Sequence, residues 1–165
     1  MSEITVANTD WNIAGAVKTA VSAATIDSSP VFQSVTVAMT REQAMKVQLT
    51  DSPVAIVLYD KTAEDIGVDD ERNCVVSLTI ILAARLAATP DESARLQEIL
   101  RLKNAAVNAV EDATIAAASA VGAGDFFAPP IKWQHGEIDT SSRPPWMICR
   151  LPVKIAYRLS SPTSH

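Results

Sequence analysis

The chain has 165 residues, which is the length of one domain and is enough to bury a sizeable core. Its composition, 48% apolar and 20% charged, excludes a disordered chain. The net charge of −5 argues against a protein that grips nucleic acid with its whole surface, because phosphate contacts need clustered Lys and Arg. We expect one domain over residues 1–165, with flexible tails at 1–9 and 160–165.

The first half of the chain opens with a helix, a strand and a short helix. Asp10 can cap a helix that begins at Trp11. Apolar residues then recur on one face of this helix: Ile13, Val17, Ala20, Val21 and Ala24. The β-branched residues of 31–39 predict a half-buried strand. Thr40 and Gln43 form a capping box that predicts the short helix.

Five carboxylates follow between two predicted strands, 54–60 and 74–86: Glu64, Asp65, Asp69, Asp70 and Glu71. Their spacing does not match the alternating ligands of an EF-hand calcium loop, so we predict no metal site. Burying five carboxylates would require several paired cations, so we expect them to be exposed. The segment is either a solvated connection or an electrostatic surface that meets a charged partner.

The second half predicts a long helix and two strands. Thr89, Pro90 and Glu92 together indicate a capped helix start. After this start, six residues recur at the spacing of one helix face: Leu96, Ile99, Lys103, Ala106, Val107 and Val110. The Ala-rich tract 113–124 either prolongs this helix or starts a second one. Residues 131–139 and 145–159 are the last two strands.

The last strand is expected to have one apolar face and one basic face. Its apolar residues are Met147, Cys149, Leu151, Val153, Ile155 and Tyr157. They alternate with Arg150, Lys154 and Arg158. Pro152 has no N–H for a ladder, which indicates an edge position or a bulge. The elements together predict an α+β sandwich: a mixed, mainly antiparallel sheet of about five strands, with an N-terminal helix and a long central helix packed on it.

No motif predicts catalysis, and we expect no catalytic, cofactor-binding or metal-binding residues. His135 and Glu137 should share one strand face with Trp133. One usable histidine without a cysteine motif makes a zinc site improbable. The alternative is a small cytoplasmic ligand-binding domain or enzyme in which His135 acts as a general base beside Glu137.

The cysteines and the apolar runs predict a reduced protein without a membrane segment. Cys74 and Cys149 are the only cysteines, and two isolated thiols are most often small buried hydrophobes. The start of the chain lacks the basic and apolar regions of a secretory signal. The longest apolar run, Cys74 to Ala88, contains Arg85 and falls short of the ~20 residues of a membrane span.

The order of these elements resembles that of the phage tail terminator proteins, also called tail-completion or neck proteins. The segments that carry the resemblance are "DWNIAGAVKTAV", "VFQSVTVAM", "SPVAIVLYD", "CVVSLTIILAARL", "SARLQEILRLKNAAVNAV" and "PPWMICRLPVKIAYRL". It rests on pattern over nearly the whole chain. The short helix "TREQAMKVQL" and the Ala-rich tract depart from the pattern.

The resemblance implies a structural protein of the virion tail or neck that is assembled in the host cytoplasm. Its partners would be further copies of itself in a hexameric ring, the tail tube or sheath protein, and the head connector protein. DNA would pass through the ring without specific contacts, and no cofactor or catalytic residue is implied. The acidic segment would then face either the lumen or a docking partner. A head-side joining protein, a tail-tube subunit, and a cytoplasmic adaptor or antitoxin remain alternatives.

Overall fold

A computed structural model describes residues 9–46, 52–66, 72–85, 92–120, 131–134, 136–139 and 146–159. The helices are α1 (Thr9–Ser22), α2 (Arg41–Lys46) and α3 (Glu92–Ala120). The strands are β1 (Thr25–Ile26), β2 (Ser29–Pro30), β3 (Ser34–Ala38), β4 (Val54–Ile66), β5 (Arg72–Arg85), β6 (Ile131–Trp133), β7 (Glu137–Asp139) and β8 (Trp146–Leu159).

Six of the strands form one mixed sheet in the order β3-β4-β5-β8-β6, and β7 also pairs with β8. Strands β3 and β4 are parallel, and every other pair in this sheet is antiparallel. The predicted α+β fold with a mainly antiparallel sheet is therefore confirmed. The long strands β4, β5 and β8 form the centre, so they carry most of the core.

The main core lies between one face of the sheet and the helices α1 and α3. From the helices it receives Ile13, Ala14, Val17, Ala20, Val21, Ile99, Leu102, Ala106 and Val110. From the three central strands it receives Ala55, Val57, Cys74, Val76, Leu78, Ile80, Leu82, Ala84, Met147, Cys149, Leu151, Val153 and Ile155. We call this side of the sheet the helix face. The alternation predicted for β8 is confirmed through Ile155, and in β5 the alternate residues Val76, Leu78, Ile80 and Leu82 likewise share the buried face.

The opposite side of the sheet, the outer face, has smaller apolar clusters. Helix α2 contributes Ala44, which packs against Ala38, Ile56 and Leu58. A second cluster joins Val54, Ala83 and Ile148. Polar and charged side chains occupy much of the remaining outer face. The sandwich is thus strongly asymmetric, with its long helices on one side only.

Local structure at the helix ends partly follows the predictions. The Thr40 hydroxyl accepts a hydrogen bond from the Gln43 N–H at 3.1 Å, and the Gln43 side chain accepts one from the Met39 N–H at 2.8 Å. These bonds confirm the predicted start of α2. Helix α1 begins at Thr9, so Asp10 lies inside the helix and the predicted cap is wrong.

A small hairpin that the sequence pattern did not predict follows α1. Strands β1 and β2 are joined by Asp27 and Ser28, whose φ angles are 51° and 66°. Two successive residues with positive φ are typical of a type I′ turn, in which Asp and Asn are common. Asp27 also forms a surface ion pair with Arg101 of α3, with 3.7 Å between the nitrogen and the oxygen. The turn therefore lies beside the N-terminal half of α3.

Helix α3 continues through Ala120, so the Ala-rich tract prolongs it that far. Its buried stripe consists of Ile99, Leu102, Ala106 and Val110. Leu96, predicted on this stripe, is 42% exposed. Ile99, Ala106 and Val110 are buried as predicted, but Leu102 lies in the core where the prediction placed Lys103 on the stripe. The predicted caps Thr89 and Pro90 lie outside the described residues.

Candidate functional site

Part of the acidic segment is β-strand, although its composition is typical of a loop. Strand β4 continues to Ile66, where Glu64 pairs with Cys74 and Asp65 pairs with Asn73. The connection predicted between the strands 54–60 and 74–86 is therefore wrong at both ends, since β4 ends at Ile66 and β5 begins at Arg72. Carboxylates have low strand propensity, but continued pairing with β5 outweighs it. Asp69, Asp70 and Glu71 lie outside the described residues. Among the described residues no group of His, Cys, Asp and Glu could hold a metal ion.

The predicted pairing of Trp133 and Glu137 on one strand face is also wrong. Trp133 is opposite Val153 on the helix face, whereas Glu137 is opposite Arg150 on the outer face. The registers of β6 and β7 against β8 differ by one residue, so an extra residue is inserted between them. A one-residue slip moves a strand's side chains to the other face. His135 itself lies outside the described residues.

Pro152 explains why the ladder breaks at this point. Its carbonyl accepts a hydrogen bond from the Gln134 N–H at 3.0 Å, but proline has no N–H to return. Strand β8 is flanked by β5 and by β6 with β7, so the edge position that Pro152 could have indicated is wrong. The bulge alternative is confirmed, with the extra residue in the partner strand.

A cleft opens on the helix face beside this break in the ladder. Its volume is about 550 Å³, and it lies between α3 and the edge strand β6. The described residues that line it are Lys103, Asn104, Val107, Trp133, Gln134 and Leu151. Leu151 is fully buried and belongs to the main core. The cleft thus combines an aromatic ring, aliphatic side chains, two amides and one ammonium group.

The indole ring of Trp133 is held by a hydrogen bond. Its Nε1–H donates to the Glu111 carboxylate at 3.0 Å, which ties β6 to α3. Trp133 also packs against the edge of the main core. The ring is therefore oriented from both sides, as a rigid wall of the cleft requires.

Lys103 lies close enough to β8 for its charge to act on the buried Cys149. Burial raises the pKa of the Cys149 thiol, and the Lys103 ammonium opposes this with a smaller lowering effect. The cleft was not predicted from the sequence. The available signal was Lys103 itself, a cation within the apolar period of α3.

The raised pKa of Cys149 predicts a loss of stability at alkaline pH. The folded state favours the neutral thiol, so its stabilising effect is complete below the ordinary thiol pKa of 9.0. It is lost as the pH rises through the higher pKa of the folded state. We expect the free energy of unfolding in urea to fall more steeply above pH 9 for the natural chain than for Cys149→Ala. Parallel pH profiles would contradict this.

The outer face carries a cross-strand row of three lysines: Lys61, Lys154 and Lys132. Lys132 is directly opposite Lys154, and Ser77 pairs with both Lys154 and Lys61. None of the three has an ion-pair partner within the described ranges. Like charges directly opposite one another are unfavourable in an isolated sheet. The lysine row is therefore suited to contact with an anionic surface.

No family model matches the chain, and no curated protein matches it. In the part of the chain that the structure describes, no helix is both long and apolar enough to cross a membrane.

Proposed function

We propose that the protein is a tail terminator: a structural protein that closes the tail tube of a phage as a ring, joins it to the head connector and lets DNA pass. The order of elements supports this, since the helix α1, the strands β3 to β5, the long helix α3 and the final strand follow the expected sequence.

The observation that carries the proposal furthest is the asymmetry of the sandwich. The long helices cover one face of the sheet, and the outer face has the lysine row without intramolecular partners in the described residues. The whole chain is nevertheless acidic, with a net charge of −5. A basic row on an acidic subunit favours contact between copies, because opposite charges meet when the subunits are arranged head to tail in a ring.

Crosslinking of intact particles that contain the chain tests the ring. We expect a ladder of products that ends at six copies, about 106 kDa for a chain of 17.6 kDa. Lys154→Glu should shorten the ladder, because it reverses the charge at the centre of the lysine row. Lys18→Glu, on an exposed position of α1, is the matched control and should leave the ladder intact. Particles with a single copy of the chain would rule the ring out.

Experiments on the same particles distinguish two roles of the acidic segment, docking to a partner and lining the lumen. Strands β4 and β5 leave only five residues, 67–71, between them, so the length of the connection does not favour docking over a lumen position. Reversing the charges of Asp69, Asp70 and Glu71 should alter folding by no more than about 0.5 kcal/mol. Failed joining, with free tails and filled heads, would indicate docking. Normal joining with slowed DNA ejection would indicate the lumen.

The alternative is a ligand-binding domain or enzyme that uses His135 and Glu137, and the position of Glu137 does not support it. Glu137 is exposed and lies on the outer face, away from the cleft. A ligand-binding role would instead involve the described residues that line the cleft, and Glu137 is not one of them. Solution mass separates the classes, since a ring favours assembly and a monomer favours a ligand-binding domain.

A further inference from the structure

We propose that the cleft between α3 and β6 binds a small aromatic carboxylate, with the ring against Trp133 and the carboxylate against Lys103. The site does not depend on the proposed tail function, because it requires neither a ring nor a partner protein. Ligand sites commonly have volumes of roughly 300–1,000 Å³ and combine apolar walls with a few polar groups. The cleft of about 550 Å³ fits this description.

The wall that Trp133 forms indicates that the ligand has an aromatic ring. Its indole is fixed by the bond to Glu111 and by packing against the core, so its position is set before a ligand arrives. Leu151 and Val107 supply the aliphatic surface around it. A planar ring can stack on an oriented indole with little loss of conformational freedom.

The charges in the cleft indicate that the ligand carries a carboxylate. Among the described residues that line the cleft, Lys103 is the only cation, and it has no ion-pair partner in the described part of the chain. The Glu111 carboxylate also lies beside the indole, because it accepts the hydrogen bond of the Trp133 N–H. One ammonium group with a carboxylate nearby matches a single negative charge better than the double charge of a phosphate. The amides of Asn104 and Gln134 can add hydrogen bonds to the carboxylate oxygens.

Indole-3-acetate is a suitable probe, with the neutral indole-3-acetamide as its matched control ligand. For a ligand of this size, the acid should bind with a dissociation constant on the order of 1 mM. We expect saturable changes in the NMR signals of the Trp133 indole N–H and of Gln134. The amide should bind roughly fivefold to tenfold more weakly, because it lacks the charge that Lys103 meets.

Two lysine variants separate this site from non-specific attraction. Lys103→Met keeps an unbranched side chain without charge, so it should bind acid and amide equally. Lys132→Met alters the neighbour of Trp133 in β6, on the outer face, and should keep the preference for the acid. If Lys103→Met fails to fold, Lys103→Gln provides the same comparison.

Four results would overturn the proposal. The first is the absence of saturable NMR changes up to about 10 mM acid, which is ten times the expected dissociation constant. The second is equal binding of acid and amide to the natural chain, and the third is an equal loss of the preference for the acid in both lysine variants. The fourth is a set of NMR changes centred on Trp11 or Trp146. Tighter binding of phenyl phosphate than of phenylacetate would also overturn the assignment to carboxylates.

Discussion

Leu78→Ala is expected to lower the free energy of unfolding by about 3–5 kcal/mol, the range for a buried leucine whose removal leaves a cavity. Leu78 is completely buried in the middle of β5. It lies between Tyr59 of β4 and Val153 of β8, in the core beneath the helices. The surrounding strands are paired on both sides, so the site can collapse very little. Urea unfolding followed by circular dichroism measures the effect.

Leu96→Ala is the matched control for this prediction. The same atoms are removed, but from a side chain that is 42% exposed on α3. Alanine is also a strong helix former, so we expect a change within about 0.5 kcal/mol. Similar losses for the two variants would mean that β5 is not the centre of the core.

Gly136→Ala is expected to destabilise the protein by about 1–3 kcal/mol through overpacking. A Cβ at this position would be 3.0 Å from the Arg150 carbonyl oxygen and 3.0 Å from Cδ2 of Leu151. The carbonyl belongs to the backbone of β8, so it cannot move aside without disturbing the sheet. Leu151 also lines the cleft, so the variant should weaken indole-3-acetate binding as well. Thermal unfolding and the NMR titration measure both effects.

Gly15→Ala in α1 is the control with the opposite sign. A Cβ there would meet no atom within 4 Å, and the position lies inside a helix. Alanine loses less conformational freedom than glycine on folding, so we expect a gain of about 0.5–1 kcal/mol. A neutral Gly136→Ala, or a destabilising Gly15→Ala, would contradict the contacts at these two positions.

The sequence predicted the fold class because its burial patterns are local. In α1 the buried residues recur with the helical period, and in β5 and β8 they alternate, so the face toward the core can be read from spacing alone. The same method failed for Leu96 and Leu102. Both fit an amphipathic helix, and only the position of the sheet beneath α3 decides which one is buried.

Pairing between strands accounts for the other errors. The carboxylates Glu64 and Asp65 have the composition of a loop, yet they continue β4 because β5 provides a partner strand. Trp133 and Glu137 have the spacing of one strand face, yet the slip in register beside Pro152 places them on opposite faces. Register depends on the neighbouring strand, which is far away in the chain.

By itself, the sequence determined the α+β class, the buried faces of α1, β5 and β8, and the start of α2, because each depends on residues within a few positions of one another. Only the tertiary structure decided that β8 lies inside the sheet, that the lysine row forms across three strands, and that Lys103 and Trp133 line one cleft. These features join residues that are distant in the chain. Their formation depends on strand order, register and helix packing, which a local pattern of residues does not specify.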